Sequence, residues 1–226
     1  MRKVVVFGIS RIAEVLYQTV LADDKSDIII EAFCVDREYR KTDRKYNLPV
    51  VDFETVVNDY SPRDYEMIVA IGYHDMNQIR EKKCKQAMDI GYSLPGYVHS
   101  DVMITEDVRI GNNVLIFNNV CVGSQCEIGD DTVAFAGAII SHHATIGNHN
   151  WITSGTVIGG GTTTGNNCFF GIGSSVGHNI SIGNMNFIGQ NAVVTKSTED
   201  NGVYILGDTP RYRLDTEKFM KLFKFD

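Results

Sequence analysis

The chain has 226 residues, 43% of them hydrophobic, and a formal net charge of -7. That size allows one large domain or two small ones. The acidic balance argues against nucleic acid as a partner, and no apolar run approaches membrane-spanning length.

Met1-Arg2-Lys3 leads straight into Val4-Val5-Val6-Phe7-Gly8, too short an apolar stretch for a secretory leader. Five cysteines are scattered at 34, 84, 121, 126 and 168, with no CxxC and no ligand spacing to histidine. This reads as free thiols in a reducing compartment, hence a cytoplasmic protein that holds no metal.

Residues 3–8 form an apolar run that ends in glycine, a buried strand. Ser10 can cap the helix that follows, where Ile12, Val15, Leu16, Thr19 and Val20 recur at helical spacing. Ile28 to Val35 is a second strand, closed by Asp36-Arg37. Residues 53–60 predict a short helix, Met67 to Ile71 a third strand ending at Gly72-Tyr73-His74, and Asp75 to Met88 a helix. This alternation implies a small parallel sheet, a Rossmann-like front domain over residues 1–93. Gly91 to Gly96, with Pro95, is the linker.

From Val98 to Val194 every sixth residue is aliphatic or aromatic, with only Ala134 and Thr164 breaking the column. A glycine follows many members, among them Gly111, Gly123, Gly147, Gly159 and Gly183. Two residues before the column runs a second, mostly small one: Thr132, Ala138, Ala144, Thr156, Thr162, Cys168, Ser174. An unbroken period of six is a repeat signal that fits neither a helix nor simple alternation. Each hexad makes a short strand and a turn, and three hexads make one triangular coil. Stacked at ~4.8 Å, the coils build a prism on the order of 25 Å long. Glycine and asparagine are expected at corners that need unusual backbone angles. The hexapeptide pattern resembles the left-handed parallel β-helix family. The left hand is implied by that resemblance; the usual crossover rule favours the other hand. The repeat domain covers residues 94–196. A tail, 197–226, carries the turn Gly207-Asp208-Thr209-Pro210 and a terminal helix from Asp215 to Phe225.

Two regions carry candidate chemistry. At the sheet's carboxyl ends, where ligands of open α/β sheets bind, lie Gly8, Ser10, Arg11, Asp36, Arg37, Gly72, Tyr73 and His74. The full G-x-G-x-x-G is absent. A hydroxyl, a helix N-terminus and arginines suit a diphosphate, and Asp36 suits a base or ribose; Asp36-Arg37 also reads as a solvated turn. On the prism, hexad phase puts Glu106, Ser124, His142, Gly160, His178 and Lys196 in line along one edge. His142 then faces a bare shelf, Gly159-Gly160-Gly161, one coil above. A base beside a slot for a thin acyl carrier suits acyl transfer, and Ser141-His142-His143 does not look like corner chemistry. His149 and His178 also read as structural histidines, while the sequence decides little for His74 and His99.

The layout resembles the hexapeptide-repeat acyltransferases that act on nucleotide-linked amino sugars, those of the bacillosamine and perosamine pathways, with the sialic-acid O-acetyltransferase-like proteins close by. The resemblance covers nearly the whole chain. It rests on Ile140-Ser141-His142-His143-Ala144-Thr145-Ile146-Gly147, which matches the family's catalytic segment, and loosely on Gly207-Asp208-Thr209-Pro210-Arg211. By that match His142 is the catalytic base, while His143 stands where the family has an acid. The resemblance implies a homotrimer with acetyl-CoA lying along the prism between subunits, and bacterial surface-glycan biosynthesis. A sugar amine attacks the thioester directly, and a shelf N–H holds the oxyanion. Gly159, Gly160, Gly161, His178, Lys196, Arg211 and Arg213 are the candidate coenzyme A contacts. An O-acetyltransferase on a sugar or sialic acid, and a non-catalytic β-helix binding protein, are the competing readings.

Overall fold

Val4, Val5 and Val6 are fully buried although their side chains alternate between the two sides of one strand. That is the signature of a parallel sheet covered on both faces. In the computed structural model, which describes residues 1–222, β1 (Arg2–Phe7) pairs in parallel with β2 (Ile28–Val35) and β5 (Glu66–Val69). β2 pairs in parallel with β4 (Leu48–Asp52), and β3 (Arg44–Lys45) adds an antiparallel edge. The sheet order is β3-β4-β2-β1-β5. Val4 and Val6 pack with Ile12, Leu16 and Val20 of α1 (Arg11–Ala22). Val5 and Phe7 pack with Val56 of α2 (Val56–Asp59) and with Cys84 and Ala87 of α3 (Gln78–Asp89).

Two expectations shift here. β4 carries Pro49, which interrupts the strand pattern and hid it from the periodicity. The helix expected from Asp75 starts at Gln78, because Asp75, Met76 and Asn77 take φ of 52°, 46° and 68°, outside the helical region.

The repeat segment forms three parallel sheets of five, seven and five two-residue strands. The first face runs through β6 (Tyr97–Val98), Leu115–Ile116, Val133–Ala134, Trp151–Ile152, Phe169–Phe170, Phe187–Ile188 and Val203–Tyr204. The second holds Cys121–Val122, Ile139–Ile140, Val157–Ile158, Ser175–Val176 and Val193–Val194. The third holds Arg109–Ile110, Glu127–Ile128, Thr145–Ile146, Thr163–Thr164 and Ser181–Ile182. Ile116, Ile140, Ile152, Ile158, Phe170 and Ile188 are wholly buried in one axial core, each worth about 1.5–3 kcal/mol. Inside it, Thr156 and Thr162 donate to Gly171 O at 3.1 Å and Gly177 O at 2.6 Å. Thr164, which breaks the column, accepts from Gly147 N at 3.2 Å. The column is not inward throughout: Val98 and Ile110, in the first coil, are each 37% exposed. After Val194 the register breaks, and Val203 pairs with Phe187.

The corner residues stand three places after each column member. Asn113, Asn119, Gln125, Asp131, His143, His149, Asn167 and Asn179 have φ between 50° and 61°, and Gly137, Gly155, Gly161 and Gly173 fill the same slot. His143 is thus a corner residue, against the sequence expectation. The glycines directly after the column need a different explanation. They lack positive φ, and a Cβ on Gly123 would lie 2.4 Å from His142 N and one on Gly159 2.5 Å from Gly177 O. They are glycines because the next coil is too close.

In the tail, α4 (Thr216–Met220) is capped by Asp215, which accepts from Lys218 N at 2.9 Å. The rest of the expected helix, from 223 onward, lies outside the described residues. Among the described residues no helix is long and apolar enough to cross a membrane.

Candidate active site

The front domain docks on the first face of the prism. Tyr97, Leu115, Val133, Trp151 and Phe169 project from that face into the same core as Val4, Leu16 and Ile68. The corner between the third and first faces makes the polar seam. Asn113 accepts from Val69 N at 2.8 Å, and Asn167 donates to Glu81 at 3.1 Å. Arg80, fully buried, donates to Asp131 Oδ1 at 2.9 Å and to Asp131 O at 2.7 Å. His149 Nδ1 lies 3.1 Å from Asp131 Oδ2, so His149 belongs to this seam. Next to it runs an amide ladder: Asn112 N to Asp130, Asp130 N to Asn148, Asn148 N to Asn166 and Asn166 N to Asn184, each at 2.7–2.9 Å.

Two of the cavities on the front domain are lined by residues at the carboxyl ends of its sheet. One, of about 280 Å³, is lined by Gly8, Ser10, Asp36 and the apolar Phe7, Ile71 and Ile79. Gly8 (φ 122°) sits where a Cβ would meet Ala70 O at 2.5 Å, so the close approach of the chain just past the ends of β1 and β5 requires it. Lys83, which the sequence reading missed, reaches this cavity from α3 and binds Asp36 at 2.6 Å. Its place in a charged stretch, Arg80-Glu81-Lys82-Lys83, gave no signal; only the fold brings it over the β2 terminus. The second cavity, about 510 Å³, lies between the domains and is lined by Ser10, Arg11, Gly72, Tyr73, His74, Phe135 and Trp151. Tyr73 packs on Trp151 and Phe169 with ring centroids 5.4 and 4.7 Å away. Ser10 occupies the cap position of α1 but its hydroxyl makes no capping bond. Arg37 does not face these cavities as a free cation; it is committed to Asp52 at 2.9 Å.

His142 stands on the corner between the second and third faces. A Cβ placed on Gly160 would lie 2.8 Å from His142 Cε1 and 3.0 Å from Nε2, so the ring rests against that glycine as phase predicted. His142 Nδ1 is 3.0 Å from His143 Nδ1, with the rings perpendicular. His178 covers Gly160 from the coil above: Gly160 N donates to His178 Nδ1 at 3.1 Å. Gly159 N donates to Val176 O and Gly161 N to His142 O. All three shelf N–H groups are therefore engaged within the chain, which corrects the expectation of a free shelf amide for an oxyanion. Only the Gly160 amide can be released by a side-chain rotation. Lys196 lies exposed on the same edge, and Arg211 and Arg213 are exposed on the tail. Cys126 is buried in the small inward column, and burial raises its thiol pKa, which argues against a thiol nucleophile. Among the described residues no cluster of His, Cys, Asp or Glu could hold a metal ion.

No family model matches the chain, and no curated protein does. Solved structures do. A histidine-to-asparagine mutant of perosamine N-acetyltransferase from Caulobacter crescentus, in complex with CoA and GDP-perosamine, superposes with a TM-score of 0.78 at 23% identity. That match covers 90% of this chain and 93% of the other. The acetyltransferase domain of PglB from Neisseria gonorrhoeae matches at a TM-score of 0.79 and 20% identity, over 90% and 96% of the two chains. WeeI from Acinetobacter baumannii matches at 0.58 and 18%, over 90% and 96%. The chain has the fold of these proteins: a Rossmann-like α/β domain followed by a left-handed parallel β-helix.

Proposed function

We propose that this chain is an acyl-CoA-dependent N-acetyltransferase acting on a nucleotide-linked amino sugar, with His142 as general base. The observation that carries the reading is the His142 ring seated on Gly160, a residue with no side chain of its own to keep a thin acyl carrier away, covered only by the His178 ring. The similar structures support it: the perosamine enzyme was captured with CoA and GDP-perosamine, and the PglB domain with acetyl coenzyme A. Acetyl-CoA is then a substrate, and surface-glycan assembly the pathway class.

In the reaction the sugar amine attacks the thioester carbonyl, and the new C–N bond forms as an N–H proton passes to His142 Nε2. The tetrahedral intermediate collapses, the C–S bond breaks, and the leaving thiolate takes that proton from His142. General-base catalysis of this kind contributes ~10²–10⁴-fold. The oxyanion draws on the Gly160 amide once His178 turns away from it.

One geometric relation supports a composite site. The front-domain cavities lie at the first face, whereas His142 is on the corner between the other two faces. In a triangular prism that corner is opposite the first face. A sugar held by the front domain of one subunit therefore meets His142 of a neighbour. The second face supports this arrangement. It exposes Met103 (71%), Ile139 (41%) and Val193 (67%), while the third exposes Arg109, Glu127, Thr145, Thr163 and Ser181. An apolar strip beside the base suits burial between the subunits of a homotrimer.

The test is acetyl transfer from acetyl-CoA to a panel of GDP-, UDP- and dTDP-linked amino sugars, with the products identified by mass. An acetylated amine supports the reading; acetylation on a hydroxyl group only points to the O-acetyltransferase alternative. Asp36→Ala should raise the KM for the nucleotide sugar and leave that for acetyl-CoA unchanged. An unchanged KM for the sugar, with the fold intact, removes Asp36 from the site.

A further inference from the structure

The His142–His143 contact joins like atoms, and that restricts where protons can be. Two Nδ1 atoms 3.0 Å apart form a hydrogen bond only if one carries a proton and the other a lone pair. His143 is held in place by its backbone: φ is 61°, and its N–H donates to Ser124 O at 2.9 Å. His142 is held from the other side, its carbonyl accepting from Gly161 N at 3.0 Å. Below His143 on the same corner lies Asp107, whose Oδ2 accepts from Gln125 N at 3.0 Å. Asp107 is held below the usual carboxylate range by the Thr105 hydroxyl first, with the Gln125 amide contributing. Glu106 lies lower on the His142 edge. Above, the neutral Nδ1 of His178 faces Gly160, and Lys196 follows.

Resting on the acyltransferase reading above, we propose that His143 is a positioning residue. Its bare Nδ1 accepts the Nδ1–H of His142 and leaves His142 Nε2, the atom against Gly160, as the basic nitrogen. A carboxylate would set the same tautomer through charge; here a neutral imidazole sets it through a lone pair. When His142 Nε2 takes the amine proton, the imidazolium keeps its Nδ1–H bond to neutral His143. Asp107 and Glu106 supply the negative field from the coils below. Two imidazolium rings at this distance repel, so while His142 holds the amine proton a second proton on His143 is disfavoured.

The corner geometry supplies substitutions that do not strain the fold. Asparagine and glycine occupy the equivalent left-handed position in other coils, at Asn119, Asn179, Gly137 and Gly161. His143→Asn places an amide oxygen where Nδ1 stood; His143→Gly removes the acceptor. The experiment is long-range ¹H–¹⁵N NMR of the imidazole nitrogens in the full-length protein and both variants, alongside kcat against pH. In the native protein His142 should show a protonated Nδ1 and a bare Nε2. His143→Gly should turn it to the opposite tautomer and lower kcat more than about tenfold, short of the ~10²–10⁴ expected for loss of the base itself. His143→Asn should restore both. A native His142 protonated at Nε2, or a His143→Gly variant with unchanged tautomer and pH profile, overturns the proposal. The tautomer is read without turnover. Absence of acetyl transfer would count against the acyltransferase reading and leave the hydrogen-bond assignment intact.

Discussion

The guanidinium of Arg80 on α3 donates to Asp131 on the prism corner at 2.9 Å, and neither side chain is more than 1% exposed. This pair fixes how the front domain sits on the prism, with Trp151 beneath the guanidinium at 5.1 Å. Removing the cation alone leaves a carboxylate buried with only the neutral Asn113 and Cys84 and the His149 ring beside it. Arg80→Met should therefore cost about 3–5 kcal/mol. Asparagine suits a left-handed corner, so adding Asp131→Asn should recover part of that loss. Urea unfolding of both single variants and the double variant measures the coupling. A double variant no more stable than Arg80→Met would show that the charge pair does not hold the seam.

Gly160 takes an ordinary φ, so alanine there is not strained by the backbone; its methyl group would instead reach to 2.8 Å of the His142 ring. Gly160→Ala should leave the melting temperature nearly unchanged. It should lower kcat on the order of 10²-fold, the usual cost of misplacing a catalytic group by about 1 Å. Full activity would mean that the ring position seen here is not the working one.

Asp23 ties the end of α1 to the start of the prism: it accepts from Tyr97 OH at 2.9 Å and Ser100 N at 3.1 Å. Burial alone would raise its pKa. The hydrogen bonds from Ser100, Tyr97 and Lys25 outweigh that and hold it at about 2, against an ordinary 3.8. A depressed carboxylate stabilises the fold above its unfolded pKa and loses that contribution as pH falls through the folded value. Stability should thus decline between about pH 4 and pH 2, and Asp23→Asn should flatten that slope in urea titrations. An unchanged slope would contradict the assignment.

The proposed homotrimer is argued from the apolar residues exposed on the second face. Ile139→Glu and Val193→Glu should each give a monomer by light scattering, while a charge added at Thr163 on the third face should leave the assembly intact. A native protein that runs as a monomer at micromolar concentration would remove the composite site.

The prism was legible because its period repeats through every coil and its main inward column is almost wholly aliphatic or aromatic. Ile140, Ala144 and Ile146 face inward where the column put them, and phase alone brought His142 to Gly160. What phase cannot give is direction at a corner. In the sequence Asp131 looks like polar surface and His143 does not look like corner chemistry, yet His143 is a left-handed corner residue and Asp131 a buried anchor. Between Ile128 and Val194 the sequence has no Lys, Arg or Glu, and part of that scarcity reflects the first face lying under the front domain. Lys83 and Arg80 were missed for a related reason. A helix half of whose residues are charged reads as solvated until the fold shows which of them reach across to Asp36 and Asp131. The shelf was read as bare backbone, but its amides are taken by Val176, His178 and His142, partners set by neighbouring coils.

The most direct test of the account is the rate of coenzyme A release from acetyl-CoA in the presence of a nucleotide-linked amino sugar, compared between the native protein and His142→Asn. The account predicts turnover that requires the amino sugar and falls ~10²–10⁴-fold in the variant, with the KM for both substrates largely kept. A variant that turns over at the native rate, or a native protein that releases no coenzyme A with any member of the panel, would contradict it.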